Sequence, residues 1–489
     1  MVHSSYRHVE YLLVVSLCCL LFACTSHRTT KQSPSTNTVD RFQSRMDSIL
    51  DDSAFAHSFI GFKVVALKDG KTLYSRNGDK LFHPASNMKL LTTAAAILHL
   101  DRNFKFVTKV LADRKIDRGT LRGNLYIKGS GDPKMSTSDL DSLAKAIQSF
   151  GITTIAGNLV GDITYFDTLS WGQGWMLDDE TEAYEAAITP LTVNDNAIRV
   201  TVSPGKEIGE FLRFSVEPMT KVITLVNLGI TSPDSSIPTL TVTRRRGENT
   251  VVIRGRMNPN EEEQHIDLSV WKPEVFFLEL LREKLLDHGI RVQGKCIIDS
   301  VRGRIRVAEV SHTIDSVLRR INKQSDNLAA ENLLKTLAAE SRGTPGSAVA
   351  GLSIVKSSLS MMEIDTTAIV LADGSGLSFY NSVSPDILVR VLEEEYRDKS
   401  NFERFYESLP VAGIDGTLKA RMRHTRAEAN VHAKTGSLTG VSALSGYVTS
   451  ADGQLLAFSM IGNHFPGSMA SLRAAQDRIM ELLADTYLH

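Results

Sequence analysis

Cysteine is scarce in this chain: four residues in 489, three of them within the first 24. With that N-terminal segment removed or modified, Cys296 has no partner, so no intramolecular disulfide braces the folded body. No Cys/His spacing of the zinc-binding kind occurs, which gives no reason to expect a structural metal. Neither sign of charge is in excess. Lys and Arg total 55 against 56 Asp and Glu, a formal net charge of -1, which argues against a nucleic acid or another highly charged polymer as partner. The Arg244-Arg245-Arg246 run reads as a solvated strand end. The N-terminal apolar run, Tyr11 to Ala23, is too short to span a bilayer. There is no internal repeat, and the length calls for about two to four domains.

That short run has the length of the apolar centre of an export signal. It ends in Leu21-Phe22-Ala23-Cys24, which resembles a bacterial lipobox, with Cys24 as the lipidated mature N-terminus. Residues 1–23 are therefore expected to be a signal peptide. Residues 24–38, rich in Ser, Thr and Lys, are expected to be a flexible tether. The expected location is the cell envelope, periplasmic, on a membrane through that lipid. Thr25, where a proteobacterial inner-membrane retention signal would have Asp, favours the outer membrane. Cys296, in the strand-like stretch Arg291 to Asp299, reads as a buried structural thiol.

Folding is expected from Val39, with an amphipathic helix to Asp52 and then a hairpin of Ile60 to Leu67 and Thr72 to Ser75 about Asp69-Gly70. An apolar helix follows Pro84. From about Asn103 to Asp299 short strand-like runs dominate, with a helix at Glu274 to His288. Long helices return after Ser311, at Thr313 to Asn322, Asn327 to Ser341 and Ser347 to Met362. The chain closes with a second hairpin, Gly440 to Asn463, and a helix from about Ser468 to Tyr487. This order predicts an α/β domain built from both ends of the chain, with a β-rich insertion between them.

Ser86-Asn87-Met88-Lys89 puts a hydroxyl and an amine on one face of the first of those helices. A serine needs a base to attack at neutral pH, and a lysine stripped of water can serve as one. Ser-x-x-Lys alone is weak, since it recurs at Ser142, Ser203, Ser269 and Ser353. Two further elements follow in the same domain. Ser325-Asp326-Asn327 precedes a helix, and Lys434-Thr435-Gly436 precedes the last hairpin.

The ordered set Ser-x-x-Lys, Ser-Asp-Asn, Lys-Thr-Gly matches the penicillin-interacting serine enzymes. The wide gap between the first two motifs is too long for a compact class A β-lactamase. The chain resembles the low-molecular-mass class C penicillin-binding proteins, the D-alanyl-D-alanine carboxypeptidase/endopeptidase family. The resemblance extends through Gly129 to Pro133, Asn194-Asp195-Asn196, Asp373 to Ser378, Gly413 to Leu418 and Ala433 to Tyr447. It implies an α/β fold: a discontinuous β-lactamase/transpeptidase-like domain (39–102 with 305–489), an inserted domain II (103–165 with 258–304) and a nested domain III (166–257).

The resemblance also implies roles. Ser86 is the nucleophile, with Lys89 the favoured base. Ser325 and Lys434 pass a proton to the leaving amine, and Asn327 holds Lys89 and the substrate peptide. Thr435, Gly436 and Ser437 receive the substrate's carboxylate end, and backbone N–H groups of Ser86 and Ser437 form the oxyanion hole. Asp162 resembles an acidic residue that contacts a diaminopimelate amine, and as a residue alone it reads equally as a strand-end turn. Asp132 and Asp373, in Gly-rich turns, read as structural. No metal or organic cofactor is implied. The implied partners are peptidoglycan stems ending in D-Ala-D-Ala or crosslinked, and β-lactams as inhibitors. Two departures stand out: Ser437 replaces the usual Thr, and Phe379 replaces an Arg present in many members, leaving a cationic contact to substrate in question. The other readings are a peptidoglycan-binding or penicillin-sensing lipoprotein, against which the intact motifs argue, and a β-lactamase, for whose rapid deacylation no feature is evident.

Overall fold

The computed structural model describes residues 38–488; the expected signal peptide, Cys24 and the tether up to Asn37 lie outside the described residues. Both ends of the chain meet in one antiparallel sheet. Its order is Lys71–Arg76, Phe59–Ala66, Leu455–Asn463, Val441–Thr449, His432–Leu438. The N-terminal hairpin pairs directly with the C-terminal one, Phe62 opposite Met460 and Val64 opposite Phe458. Val441–Thr449 and Leu455–Asn463 are buried almost throughout, so both faces of these strands carry apolar or small residues rather than alternating apolar and charged ones.

Helices cover both faces. Phe42 and Met46 of Thr38–Leu50 join Leu472, Ile479 and Leu483 of Met469–Asp485 on one side. On the other, Met88–His99, Asn327–Arg342 and Pro385–Arg397 pack as one cluster around Leu91, Leu333 and Leu392. Two of the three motifs therefore start helices on the second face, and the third lies on the sheet's edge strand.

The insertion centres on a mixed sheet ordered Cys296–Ile298, Leu159–Asp162, Leu125–Lys128, Lys105–Ala112, Ile305–Thr313. Helices Thr137–Ser149 and Pro273–Asp287 pack on it. Smaller sheets follow, one of Arg213–Glu217, Ala197–Ser203 and Gln264–Ser269, another of Thr224–Asn227, Thr250–Arg254 and Thr241–Arg244. One apolar cluster runs through both parts, from Leu125 and Leu143 to Val200 and Ile253.

Among the described residues, three α-helices have no counterpart among the expected elements: Thr137–Ser149, Pro385–Arg397 and Lys399–Ser408. Two carried local signals. Ser136 and Asp139 form a capping box, and Ser384 caps a helix with Pro385 in its first turn. The stretch Arg291 to Asp299 is two short strands, Arg291–Val292 and Cys296–Ile298, and Cys296 is half-buried rather than buried. Burial, with Glu279 beside it, pushes its thiol up to about 12. The arginine run also differs from expectation. Arg244 is 3 % exposed and pairs with Glu180 at 2.8 Å, because that carboxylate and the carbonyl of Ser269 supply the partners a buried guanidinium requires. Among the described residues, no helix is long and apolar enough to cross a membrane.

Candidate active site

Ser86 lies in a single 3₁₀ turn, Ala85–Asn87, that runs into the helix Met88–His99. Ala85 has φ 47°, a conformation that costs a residue with a Cβ about 1–3 kcal/mol. The turn is held from both sides. Asn87 Nδ2 donates to Ser445 Oγ of the central sheet at 2.8 Å, and Thr92 Oγ1 donates to Gly374 O at 2.7 Å. Gly376 closes over the turn at φ 86°, where a Cβ would stand 1.9 Å from Ala85 O; only glycine permits that approach.

Lys89 is fully buried. Its Nζ lies 2.9 Å from Ser86 Oγ, 2.6 Å from Asn327 Oδ1 and 2.6 Å from Ser375 O. The two carbonyl oxygens can only accept, so the amine donates to both and its third position faces the serine hydroxyl. In the neutral amine that third position is the lone pair. Burial drives the amine down to about 8, against the opposing pull of Asp373, Glu331 and Asp326. Among the described residues, this is the one Ser-x-x-Lys pair of the five with a hydroxyl–amine contact.

The second and third motifs meet at the same place. Lys434 Nζ donates to Ser325 Oγ at 2.9 Å and to Thr435 O at 2.7 Å. Burial first, and then the nearby Lys89, hold this amine well below the ordinary lysine range. Ser325 has φ 61°. The following Asp326 caps helix Asn327–Arg342 by accepting from Ala329 N at 2.8 Å and pairs with Arg320 at 2.5 Å. Arg320 also pairs with Asp195 of the insertion. A second link crosses there, since Asn327 Nδ2 donates to Tyr184 O at 2.9 Å. Gly436 brings the edge strand against Ser86, where a Cβ would stand 3.1 Å from Ser86 N. Thr435 Oγ1 and Thr417 Oγ1 are 2.7 Å apart.

A cleft of about 770 Å³ opens above these groups, lined among others by Ser86, Ser325, Asn327, Thr435 and Ser437, with Trp175 and Tyr184 from the insertion. A second hollow of about 670 Å³ shares Tyr184, Ser325 and Asn327 and runs along Asp195 and Arg320. Asp162 is not brought to the cleft. It is 1 % exposed, Oδ1 accepts from Thr164 N and Oγ1 at 2.9 and 2.7 Å, and Oδ2 accepts from Val301 N at 2.9 Å. This is the strand-end turn reading, and a carboxylate so enclosed cannot meet a substrate amine. Asp373 fits its structural reading: it is 0 % exposed and accepts from Gly376 N, Ser378 N, Asn381 Nδ2 and Trp175 Nε1 at 2.7–2.9 Å.

Several contributors carry no motif. Glu331, one helical turn after Asn327, accepts from Gly374 N and Ser375 N at 2.8 Å each and so aims Ser375 O at Lys89. Burial, with Asp373 beside it, pushes this carboxyl up to about 8. Its placement at i+4 from Asn327 was the available signal. Tyr184 and Ser375 act through backbone carbonyls, which any residue type supplies.

The family model described as the D-Ala-D-Ala carboxypeptidase 3 (S13) family matches residues 42–486. Over 456 residues the chain is 37% identical to a D-alanyl-D-alanine carboxypeptidase of Actinomadura sp. (strain R39), covering 90% of this chain and 84% of that protein. It is 28% identical over 419 residues to the D-alanyl-D-alanine carboxypeptidase DacB of Haemophilus influenzae, covering 85% and 87%. Among solved structures, penicillin binding protein 4 (dacB) from Haemophilus influenzae matches with a TM-score of 0.81 at 26% identity, covering 90% of this chain and 99% of that one. The expected fold class, a β-lactamase/transpeptidase-like domain carrying a large β-rich insertion, is the one observed. With its three motifs converging on one cleft and the match spanning nearly every described residue, the chain belongs to the D-Ala-D-Ala carboxypeptidase 3 (S13) family.

Proposed function

We propose that this chain is a serine-type D-Ala-D-Ala carboxypeptidase, D,D-endopeptidase or both, acting on peptidoglycan stem peptides through an acyl-serine intermediate. The observation that carries the reading is the amine of Lys89 held by two carbonyl acceptors with its third position on Ser86 Oγ. Ser86 attacks the carbonyl of the penultimate D-alanine and Lys89 takes its proton. The developing oxyanion is met by the backbone N–H groups of Ser86 and Ser437. Ser325 gives a proton to the departing amine, resupplied through Lys434, which supports it at 2.9 Å. Asn327 keeps Lys89 in line through Oδ1, and its Nδ2, already donating to Tyr184 O, carries a second proton for a substrate carbonyl. Thr435, Gly436 and Ser437 form the strip that receives the substrate's carboxylate end. Water then frees the enzyme.

Where the leaving amine is a free D-alanine the reaction is a carboxypeptidase step, and where it belongs to a neighbouring stem it opens a crosslink. A penicillin presents a strained amide to the same serine and is left as an ester. The chain works in the cell envelope. We further propose export by the signal peptide at 1–23, a lipid on Cys24, a periplasmic site of action, and the three-part division into 39–102 with 305–489, 103–165 with 258–304, and 166–257.

The direct test supplies purified protein with an N-acylated tripeptide ending in D-Ala-D-Ala and with crosslinked muropeptide, and follows free D-alanine and monomer by chromatography. The reading predicts release from at least one, abolished in Ser86→Ala. Turnover of neither substrate would refute it.

A further inference from the structure

The acyl-serine reading requires the site to hold a carboxylate just beyond the scissile bond. The cleft supplies no obvious cation for it. Its lining carries two carboxylates, Asp179 and Glu185, and no arginine or lysine. Phe379, on the wall where the resemblance leads one to expect arginine, packs edge-on to His83 at 5.6 Å and offers no charge. Lys434 is 0 % exposed and already donates to Ser325 Oγ and Thr435 O.

On the other side of the edge strand, Arg473 in helix Met469–Asp485 reaches this strip, its Nη2 3.2 Å from Ser437 Oγ. Arg473 is exposed, and among the described residues no carboxylate lies within ion-pair distance of it. Its backbone is held in place. Arg421 donates to Arg473 O at 3.3 Å and pairs with Asp477 at 2.7 Å. Gln476 Nε2 donates at 3.2 Å to Ser442 Oγ, the residue opposite Ser437 in the sheet. The helix turn bearing Arg473 is thus tied to the strand pair that bears Ser437.

We propose that Arg473 is the carboxylate-binding cation of this site, pairing with the substrate's terminal carboxylate beside the hydroxyls of Ser437 and Thr435. An exposed guanidinium hydrogen-bonded to a neutral hydroxyl exchanges that bond for a charge-assisted one when a carboxylate arrives. Arg473 is a specificity residue. It forms and breaks no covalent bond, and its effect depends on the charge at the substrate's end.

The test compares the full protein with Arg473→Ala and Arg473→Lys on two tripeptides, one ending in D-Ala-D-Ala and the other in its carboxamide. The expected result for Arg473→Ala is a fall in kcat/KM of about 10–100-fold on the carboxylate, with the rate on the carboxamide unchanged. Arg473→Lys should restore part of the loss. A structural role would lower both substrates together and leave their ratio alone. An unchanged ratio in Arg473→Ala, with the wild type active, overturns the assignment of Arg473 and leaves the acyl-serine reading standing. A wild type inactive on both substrates refutes that reading and this proposal with it.

Discussion

Replacing Lys89 with methionine is expected to slow acylation of Ser86 by about 10²–10⁴-fold, the usual contribution of a positioned general base. The side chains are close in shape, and the exchange removes a buried amine whose charged form burial disfavours, so the fold should persist. The wild type should show the complementary pH dependence. A base acts in its neutral form, and the Lys89 amine is held down to about 8 by burial, so the acylation rate should climb with pH through about 8. That limb should vanish in Lys89→Met. Stability carries the same signature. Because the folded-state pKa lies below the ordinary lysine value, the unfolded chain binds more protons in between, and the unfavourable contribution of Lys89 fades as pH rises above about 8. Rapid-mixing kinetics with a labelled penicillin from pH 6 to 10 read the first two effects. A Lys89→Met protein that acylates at the wild-type rate would remove Lys89 from the role of base.

Asp373→Ala should give a large loss of stability, about 3–5 kcal/mol, because several buried donors lose their acceptor at about 1–3 kcal/mol each. Its carboxylate gathers two backbone N–H groups, the Asn381 amide and the Trp175 indole at 2.7–2.9 Å, and alanine would leave these donors without an acceptor. The defect should also reach chemistry, because the loop it organises presents Ser375 O to Lys89 at 2.6 Å. Ser375→Ala is the control, since its hydroxyl makes only two long contacts, donating to Asp373 at 3.3 Å and accepting from Leu377 N at 3.5 Å, and its backbone carbonyl is retained. Urea unfolding, read as a midpoint shift at constant slope, measures the first effect, and penicillin acylation the second. An Asp373→Ala midpoint equal to that of Ser375→Ala would show that the network does not brace this loop.

The proposed catalytic set was legible because acyl transfer demands particular side chains at particular spacings: Ser86 and Lys89 one turn apart, Ser325 and Asn327 around a helix cap, Lys434 on an edge strand. The rest of the site is made of groups a sequence does not distinguish. The carbonyls of Ser375 and Tyr184 that hold Lys89 and Asn327 exist at every residue. The partner of Arg244, Glu180, lies 64 positions away, so the sequence shows only a charged run, and only the folded insertion brings the two together. For Asp162 the sequence supports two readings equally, and the closure of its carboxylate by Thr164 and Val301 is visible only in the fold. The helix Thr137–Ser149 was the more recoverable omission, since Leu140, Leu143, Ala144 and Ile147 carry helical spacing behind a capping box. It was hidden by the short strands on either side.

The central claim is that Ser86 forms the acyl bond. The measurement that tests it most directly is mass mapping of the peptide adduct after a brief exposure to labelled penicillin, with wild type and Ser86→Ala side by side. A single stable adduct on the peptide containing Ser86, absent from the variant, is the predicted result. An adduct on another serine, or one that survives in Ser86→Ala, would contradict it.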